Sequence, residues 1–282
     1  TNVKGITGAA STLNTYDASA ATGAVTVTGV NTTANTITGG SGNDSLAGAA
    51  GNDTVSSGKG DDQVTGAAGN DSITLGAGND TAVVSGSDID KDDVIDGGEG
   101  TDTLQLTGAL TYTTTGTAVD DSVGVKNFEV LKSGGAITAQ VMTGLIANNT
   151  ITSASIGASH TVSMTKDAAI ATVTFTGDSA SLTMDTAGTQ TLNLAGLTAG
   201  VPTDTQSTTF KSGATAINLV SAGTDASNDN GVTLSGTALA TLTVTGSEDV
   251  DVNVSASKVL ATADFSGSTA EEVNFAAGAS TA

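Results

Sequence analysis

Residues 39–83 read GGSGNDSLA GAAGNDTVS SGKGDDQVT GAAGNDSIT LGAGNDTAV, which is one nine-residue pattern written five times. After an interruption at 84–87, two further units follow, DIDKDDVID from Asp88 and GGEGTDTLQ from Gly97. The sixth position is always Asp, namely Asp44, Asp53, Asp62, Asp71, Asp80, Asp93 and Asp102. The eighth is always apolar, namely Leu46, Val55, Val64, Ile73, Ala82, Ile95 and Leu104. A shared register of this kind predicts a repeat architecture in which every unit folds alike.

The residues of the unit indicate a turn that binds a cation, followed by a short strand. Glycine at the first, second and fourth positions permits backbone conformations that other residues avoid. An Asp at the end of such a turn sets carboxylate oxygens beside main-chain oxygens. Hard oxygen ligands in a flexible cage suit Ca²⁺, which takes roughly six to eight of them. The last three residues are extended, with one apolar side chain pointing inward.

Two units then make one turn of a flat parallel coil, so that turns n and n+2 stack on the same edge and share an ion. Seven units allow on the order of five such ions. The alternative is a solvated, flexible Asp/Gly linker. The strict register and the inward apolar position argue against that alternative. Without the ion, the stacked carboxylates should repel one another and leave the segment largely unfolded.

The predicted calcium ligands are the sixth-position carboxylates and main-chain oxygens of the turns. At the first, third and fifth positions we expect ligands from Gly39, Ser41, Asn43, Gly48, Ala50, Asn52, Ser57, Lys59, Asp61, Gly66, Ala68, Asn70, Ala77, Asn79, Gly97, Glu99 and Thr101. The degenerate sixth unit contributes Asp88, Asp90 and Asp93. This unit has lost its glycines, so it either binds differently, through Asp88, Asp90 or Asp92, or marks the end of the regular coil.

Residues 39–104 resemble the RTX (repeats-in-toxin) calcium-binding β-roll, over about a quarter of the chain. The departures are Ser57 and Leu75 at the first position and residues such as Ala49 and Ala67 at the second. Main-chain ligands tolerate such changes. The resemblance implies a parallel β-roll that folds when it binds calcium.

The segments on either side of the repeats have a β-strand pattern. Residues 24–38 alternate polar and β-branched residues and are expected to form the first turns leading into the roll. After 104, apolar pairs recur about every nine or ten residues, as in TVTFT (172–176) and TLTVT (241–245). We therefore predict an all-β chain, with a lead-in at 1–38, the β-roll at 39–104 and an irregular β-solenoid at 105–282. A β-sandwich is the alternative for the last segment.

The charge of the chain excludes several classes of partner. Eight lysines oppose 29 acidic residues, which gives a formal net charge of −21. Nucleic acids and anionic membrane surfaces need a basic face, so neither is an expected partner. No apolar run approaches the length of a membrane span, so we expect no membrane insertion. Residues 39–104 hold 13 of the acids, and about five Ca²⁺ ions would cancel about ten of those charges.

A second resemblance concerns the segment that follows the repeats. GGEGTDTLQLTG (97–108), VKNFEVLKSGG (125–135) and a long Thr/Ala/Gly/Val-rich region are similar to bacterial RTX-type surface-layer (S-layer) proteins. Membership implies a calcium-loaded solenoid on the bacterial cell surface, exported by a type I secretion system. The chain begins at Thr1 without a leader and ends in FAAGASTA, unlike the terminal signal of that system, so we expect it to be a fragment.

The sequence favours a structural role over catalysis. His160 is the single histidine, which excludes an H-E-x-x-H zinc site, and neither a G-x-S-x-G elbow nor a Walker loop occurs. The expected function is calcium-dependent folding and self-assembly into a surface lattice. The partners are copies of the chain and surface glycolipid or polysaccharide. Two alternatives stay open, a calcium-stiffened adhesin segment and a non-catalytic RTX module of a secreted enzyme.

Overall fold

A computed structural model describes residues 3–6, 14–28, 33–85, 89, 92–108, 124–134, 149–157, 161–164, 170–176, 181–184, 188–195, 205–210, 214–222, 230–235, 238–247, 249–254, 260–270 and 273–277. Throughout these ranges the regular elements are β-strands that pair in parallel, and no helix occurs. In the same ranges, no helix has the length and apolar character that a bilayer crossing would require. The alternation of small apolar and polar residues selects strands. The predicted all-β class is confirmed.

The chain divides into two compact units, and the first comprises residues 1–132 and 144–151. Its strands alternate between two parallel sheets. One sheet contains β1 (Val3–Ile6), β3 (Val25–Thr28), β5 (Ser45–Ala47), β7 (Gln63–Thr65), β9 (Thr81–Val84), β11 (Thr103–Leu106) and β13 (Val130–Ser133). The other contains β2 (Thr15–Asp17), β4 (Thr36–Thr38), β6 (Thr54–Lys59), β8 (Ser72–Ala77), β10 (Val94–Glu99) and β12 (Val125–Lys126).

The register of these sheets follows the repeat. Leu46 of β5 pairs with Val64 of β7, two units further along the chain, and Val55 of β6 pairs with Ile73 of β8. Every eighth-position side chain is buried in the interior between the sheets, at 2% exposure or less. Two nonapeptides therefore make one turn of the coil, which confirms the predicted β-roll.

The interruption at 84–87 lengthens one turn without disturbing the register. Ile73 pairs with Ile95 and Ala82 pairs with Leu104, so the sixth and seventh units continue the same two sheets. The lead-in also joins the coil, because Val27 of β3 pairs with Leu46 of β5. The regular coil thus starts before the first repeat and continues through the degenerate unit.

Glycine at the second position lets successive turns stack closely. Gly58, Gly76 and Gly98 have φ angles of 112°, 110° and 99°, and a Cβ on any of them would collide with the carbonyl oxygen of the second-position glycine one turn earlier. Only glycine meets both the left-handed backbone and the close approach of the neighbouring turn. These glycines hold the turns at strand spacing.

Ala49 and Ala67 occupy the same position on the opposite edge, with φ angles of 76° and 71°. A left-handed backbone costs an L-residue about 1–2 kcal/mol, and the entropic disadvantage of glycine is about 0.5–1 kcal/mol. We expect Ala49→Gly and Ala67→Gly each to stabilise the calcium-saturated chain by up to about 1 kcal/mol. Denaturant unfolding in excess calcium measures this change. The control is Ala50→Gly, next to a strained position but without a positive φ, and an equal response of Ala49→Gly and Ala50→Gly would contradict the prediction.

The second compact unit comprises residues 133–143 and 152–282, and its strands also alternate between two parallel sheets. One contains β14 (Ser153–Ile156), β16 (Thr172–Phe175), β18 (Gly188–Ala195), β20 (Ala214–Ala222), β22 (Thr241–Gly246) and β24 (Thr262–Ser268). The other contains β15 (Thr161–Met164), β17 (Ser181–Met184), β19 (Thr205–Phe210), β21 (Asn230–Ser235), β23 (Val250–Val254) and β25 (Val273–Ala277).

This second unit is a solenoid with turns of unequal length. Val173 pairs with Leu192, which in turn pairs with Leu219, and these side chains are fully buried. Alternate strands join alternate sheets, and each described pairing is parallel, whereas an immunoglobulin-type sandwich is built from antiparallel strands. The irregular β-solenoid, rather than the sandwich, is the architecture of this region.

Candidate metal centre

The sixth-position aspartates form two columns inside the turns of the β-roll. On the first edge, the turns that begin at residues 39, 57, 75 and 97 supply Asp44, Asp62, Asp80 and Asp102. On the second edge, the turns that begin at residues 48, 66 and 88 supply Asp53, Asp71 and Asp93. Each of these side chains is at most 5% exposed. Burial of unpaired carboxylates is rare, so the columns require a compensating interaction.

One carboxylate oxygen of each column member binds the main chain of the turn before it. The Asp44 N–H donates to Asp62 Oδ1 at 2.7 Å, and the Asp62 N–H donates to Asp80 Oδ1 at 2.8 Å. The Asp80 N–H donates to Asp102 Oδ1 at 2.8 Å. The second edge repeats the arrangement, with the Asp53 N–H donating to Asp71 Oδ1 at 2.9 Å. These bonds fix the orientation of every carboxylate along the column.

The second carboxylate oxygen is buried without a hydrogen-bond partner at four column positions. Within the described part of the chain, the Oδ2 atoms of Asp53, Asp62, Asp80 and Asp102 have none. Asp44 differs, because its Oδ2 accepts the Gly40 N–H at 2.8 Å. A buried charged oxygen that binds nothing is costly, and a cation is the partner that removes the cost.

The electrostatics of the columns follow from this burial. Burial raises the pKa of Asp80 to about 6, against the hydrogen bond from the Asp62 N–H, and the charges of Asp62 and Asp102 raise it further. Burial also raises the pKa values of Asp53, Asp62 and Asp102 above the ordinary range. Ionised column members are therefore destabilised in the folded chain until positive charge reaches them.

Asn35 shows which oxygens converge inside a turn. It occupies the column position one turn before Asp53, where its N–H donates to Asp53 Oδ1 at 2.7 Å. Its side-chain Nδ2 donates to the Gly48 carbonyl at 2.8 Å, to Asp53 Oδ1 at 2.9 Å and to the Thr33 carbonyl at 3.0 Å. One side-chain amide thus donates to a carboxylate and two main-chain carbonyls, which are types of oxygen that Ca²⁺ binds.

The fifth-position side chains form a separate, exposed ladder. The Asp61 N–H donates to Asn43 Oδ1 at 3.1 Å, and the Asn79 N–H donates to Asp61 Oδ1 at 2.8 Å. The ladder continues from the Thr101 N–H to Asn79 Oδ1, and the second edge has the equivalent bond from Asn70 to Asn52. Short acceptors at this position therefore bind the next turn, whereas the sixth-position carboxylates bind the preceding one.

The remaining predicted ligands separate into two groups. First-position residues are buried beneath the aspartates, and at Gly48 and Gly66 a Cβ would collide with the Oδ2 of the aspartate in the same unit. Third-position residues lie further out, and the carbonyls of Ala68, Ala77 and Glu99 accept N–H groups of the preceding turn on their edge. Asp88 and Asp90, like His160, lie outside the described residues.

The donor set fits calcium. No group of three or more acidic or histidine side chains converges on one point within the described ranges, so a site must combine the carboxylates with main-chain oxygens. Such all-oxygen sets suit Ca²⁺ rather than transition metals, which prefer nitrogen or sulfur ligands. The column aspartates would hold the ion, which supplies the positive charge that the buried carboxylates need.

Comparison with protein families supports this conclusion. Residues 31–64, 50–82 and 90–106 match the family described as RTX calcium-binding nonapeptide repeat (4 copies). The chain carries RTX repeats. These RTX repeats bind calcium and fold as a β-roll, and proteins that carry them are typically secreted. Comparisons with curated proteins and with solved structures gave no match.

The family match begins at residue 31, eight residues before the first repeat predicted from the sequence. VNTTANTIT (30–38) places Asn35 at the sixth position and Ile37 at the eighth, so counting backwards from Gly39 would have found this unit. The search for sixth-position Asp missed it because Asn35 carries an amide in place of the carboxylate.

Proposed function

We propose that this chain is a structural, non-catalytic segment of a bacterial S-layer protein that folds on calcium and assembles with copies of itself into a surface lattice. On the order of five ions bind between stacked turns of the RTX repeats. The lattice is held on the cell by contacts with surface glycolipid or polysaccharide.

The observation that carries this proposal is the column of buried, unpartnered carboxylate oxygens. Neighbouring turns lie about 4.8 Å apart, so the ionised aspartates repel one another along each edge. In the calcium-poor cytoplasm this repulsion keeps the repeats unfolded and competent for type I secretion. Outside the cell, the free energy of calcium binding becomes free energy of folding.

The outer faces of the sheets favour assembly between chains. Outward positions carry short polar residues in register, as in the row formed by Thr36, Thr54 and Ser72, all exposed. Flat rows of short side chains lose little conformational entropy when another surface covers them. The high negative charge of the chain makes such contacts depend on calcium as well.

Electron microscopy of the purified chain at two calcium concentrations tests the proposal. In millimolar calcium we expect two-dimensional arrays, and after chelation we expect dispersed chains that have lost β-sheet circular dichroism. Magnesium at equal ionic strength is the control, because it does not fit a flexible oxygen cage. Isolated rods in calcium would contradict the lattice and favour an adhesin, and arrays that survive chelation would contradict its calcium dependence.

A further inference from the structure

The segment GVKNFEVLK (124–132) adds one further turn after the matched repeats. Asn127 lies in the register of first-position Gly97 and Glu129 in that of sixth-position Asp102, so this turn is three residues shorter than a repeat. Leu131 is buried and pairs with Leu104, the eighth residue of the last repeat. The fold therefore places Glu129 where an aspartate stands in each of the seven repeats between 39 and 105.

Glu129 makes the bond that defines the first-edge column. The Asp102 N–H donates to Glu129 Oε2 at 2.8 Å, as the Asp80 N–H donates to Asp102 Oδ1. The main-chain hydrogen bonds follow the same pattern. The Val130 N–H donates to the Asp102 carbonyl in the way that the Thr103 N–H donates to the Asp80 carbonyl. The carboxylate column thus extends past the last recognisable repeat.

Two further features point to a ligand between these turns. Asp102 is fully buried, and its Oδ2 has no hydrogen-bond partner among the described residues. Asn127 has a φ of 60°, and its carbonyl oxygen lies against Gly97 as the Ser57 carbonyl lies against Gly39 in the first repeat. A left-handed conformation at a residue other than glycine is uncommon and marks a local constraint.

Asp96 holds this turn in place. The Asn127 Nδ2 donates to Asp96 Oδ1 at 2.7 Å, and Lys126 forms an ion pair with Asp96 Oδ2 at 3.0 Å. The two bonds anchor the side chains on either side of the Lys126–Asn127 peptide to the strand beneath. The Asn127 carbonyl is therefore positioned before any ion binds.

We propose that Asp102, Glu129 and the Asn127 carbonyl form a terminal calcium site that closes the first edge of the β-roll. The site rests on calcium binding by the RTX repeats, and it adds one ion beyond those that repeat-to-repeat stacking provides. The Asn127 carbonyl and the Asp102 side chain both lie against Gly97, and Glu129 accepts the Asp102 N–H. An oxygen-seeking divalent cation is the ligand, because these candidate donors are all oxygens. The longer side chain of Glu129 supplies the carboxylate that Asp supplies elsewhere.

Calcium stoichiometry of Glu129→Gln tests this site. After gel filtration in excess calcium, atomic emission should find one ion fewer per chain than in the unsubstituted protein. Calorimetric titration should show the loss of one site with the other sites unchanged. Asp17→Asn is the control, since it removes one negative charge from an exposed side chain of β2, outside the calcium-binding turns, and should keep every ion. Glu129→Asp retains a carboxylate and should retain the ion.

Two outcomes would overturn the proposal. One is a Glu129→Gln chain that binds as many ions as the unsubstituted protein. The second outcome comes from crystals of the unsubstituted protein soaked in a lanthanide, which should give an anomalous peak between Asp102 and Glu129. Anomalous peaks at the other turns without a peak at this position would refute the site. A protein that bound no calcium at all would instead refute calcium binding by the repeats in general, so the two failures are distinguishable.

Discussion

Chelation of calcium at pH 7.5 should unfold the first compact unit and leave most of the second folded. The first unit contains the carboxylate columns, in which Asp62, Asp80 and Asp102 have buried oxygens without partners. Each ion at 100 times its dissociation constant contributes about 2.7 kcal/mol, so about five ions contribute on the order of 10 kcal/mol. That is comparable to the whole stability of a typical domain, about 5–15 kcal/mol.

The second unit has a different basis for its stability. Its described interior is mainly apolar, with Val173, Leu192 and Leu242 fully buried in parallel sheets, although Gln190 and Ser221 are also buried. Burial of such side chains contributes about 1.5–3 kcal/mol each and does not depend on a cation. Its strands should therefore stay protected from exchange when calcium is removed.

Hydrogen exchange with mass spectrometry separates the two units. On chelation, peptides from 39–104 should lose protection almost completely, whereas peptides from 188–195 and 241–246 should keep most of theirs. Readdition of calcium should restore the protection of the repeats from exchange, and magnesium at the same ionic strength should not. Full protection of 39–104 in strong chelator would refute a calcium-dependent fold, and equal loss in both units would refute their independence.

The repeat made the first unit predictable, because a strict nine-residue count determines which residues share a turn. The nine-residue count predicts that Val55 pairs with Ile73, as the structure shows. The pairing of Ile73 with Ile95 shows that the count resumes after the interruption. The inward position of the eighth residue followed from the same count. In such a coil each unit contacts its neighbours in one fixed way, so local sequence determines long-range register.

The second unit was predictable only as a class. Val173 pairs with Leu192 nineteen residues later, but Leu192 pairs with Leu219 after a much longer turn. The alternation of apolar and polar residues identifies which face of a strand points inward, but it does not indicate how long the next turn will be. Without a constant period, the sequence left solenoid and sandwich both open, and the pairing partners became known only from the structure.

The parts of the candidate site that the sequence did not predict are those that use a different side chain for the same position. Asn35 carries an amide instead of a carboxylate, and its Nδ2 donates hydrogen bonds to two main-chain carbonyls and one carboxylate. Glu129 has a longer acidic side chain than aspartate and accepts the Asp102 N–H. Both lie in units that lack the glycine-rich turn. A search based on Gly and Asp cannot find them, although a buried apolar residue, Ile37 or Leu131, follows two positions later in each unit.

Acidification should substitute in part for calcium in the chelated protein. Asp80 has a pKa of about 6 in the folded chain, because of burial and of the charges of Asp62, Asp102 and Asp61, and its ordinary value is 3.8. A pKa raised by folding means that the folded state binds the proton more tightly than the unfolded state does. The stability gained is fully present below the unfolded pKa of 3.8 and is lost as pH rises through about 6.

The size of this effect follows from the shift. The rise of the Asp80 pKa from 3.8 to about 6 corresponds to roughly 3 kcal/mol from this residue alone. Asp53, Asp62 and Asp102 shift in the same direction and add to it. In chelator, β-sheet circular dichroism and thermal stability should therefore rise as pH falls from 7.5 to 4.5. The calcium-loaded protein should do the opposite, since protons compete with calcium for the same carboxylates.

Two variants assign the pH response to the columns. Asp80→Asn keeps an oxygen that can accept the Asp62 N–H and adds an amide, as Asn35 does, so in chelator it should raise stability at pH 7.5 and weaken the dependence on pH. Asp61→Asn removes the same charge from an exposed side chain in the neighbouring turn and should weaken the response far less. Equal pH dependence in Asp80→Asn and the unsubstituted chain would show that the buried columns are not the groups that titrate. Acidification should stabilise the chelated protein and destabilise the calcium-loaded protein if one set of carboxylates binds either protons or calcium. Ordinary acid denaturation would destabilise both forms alike.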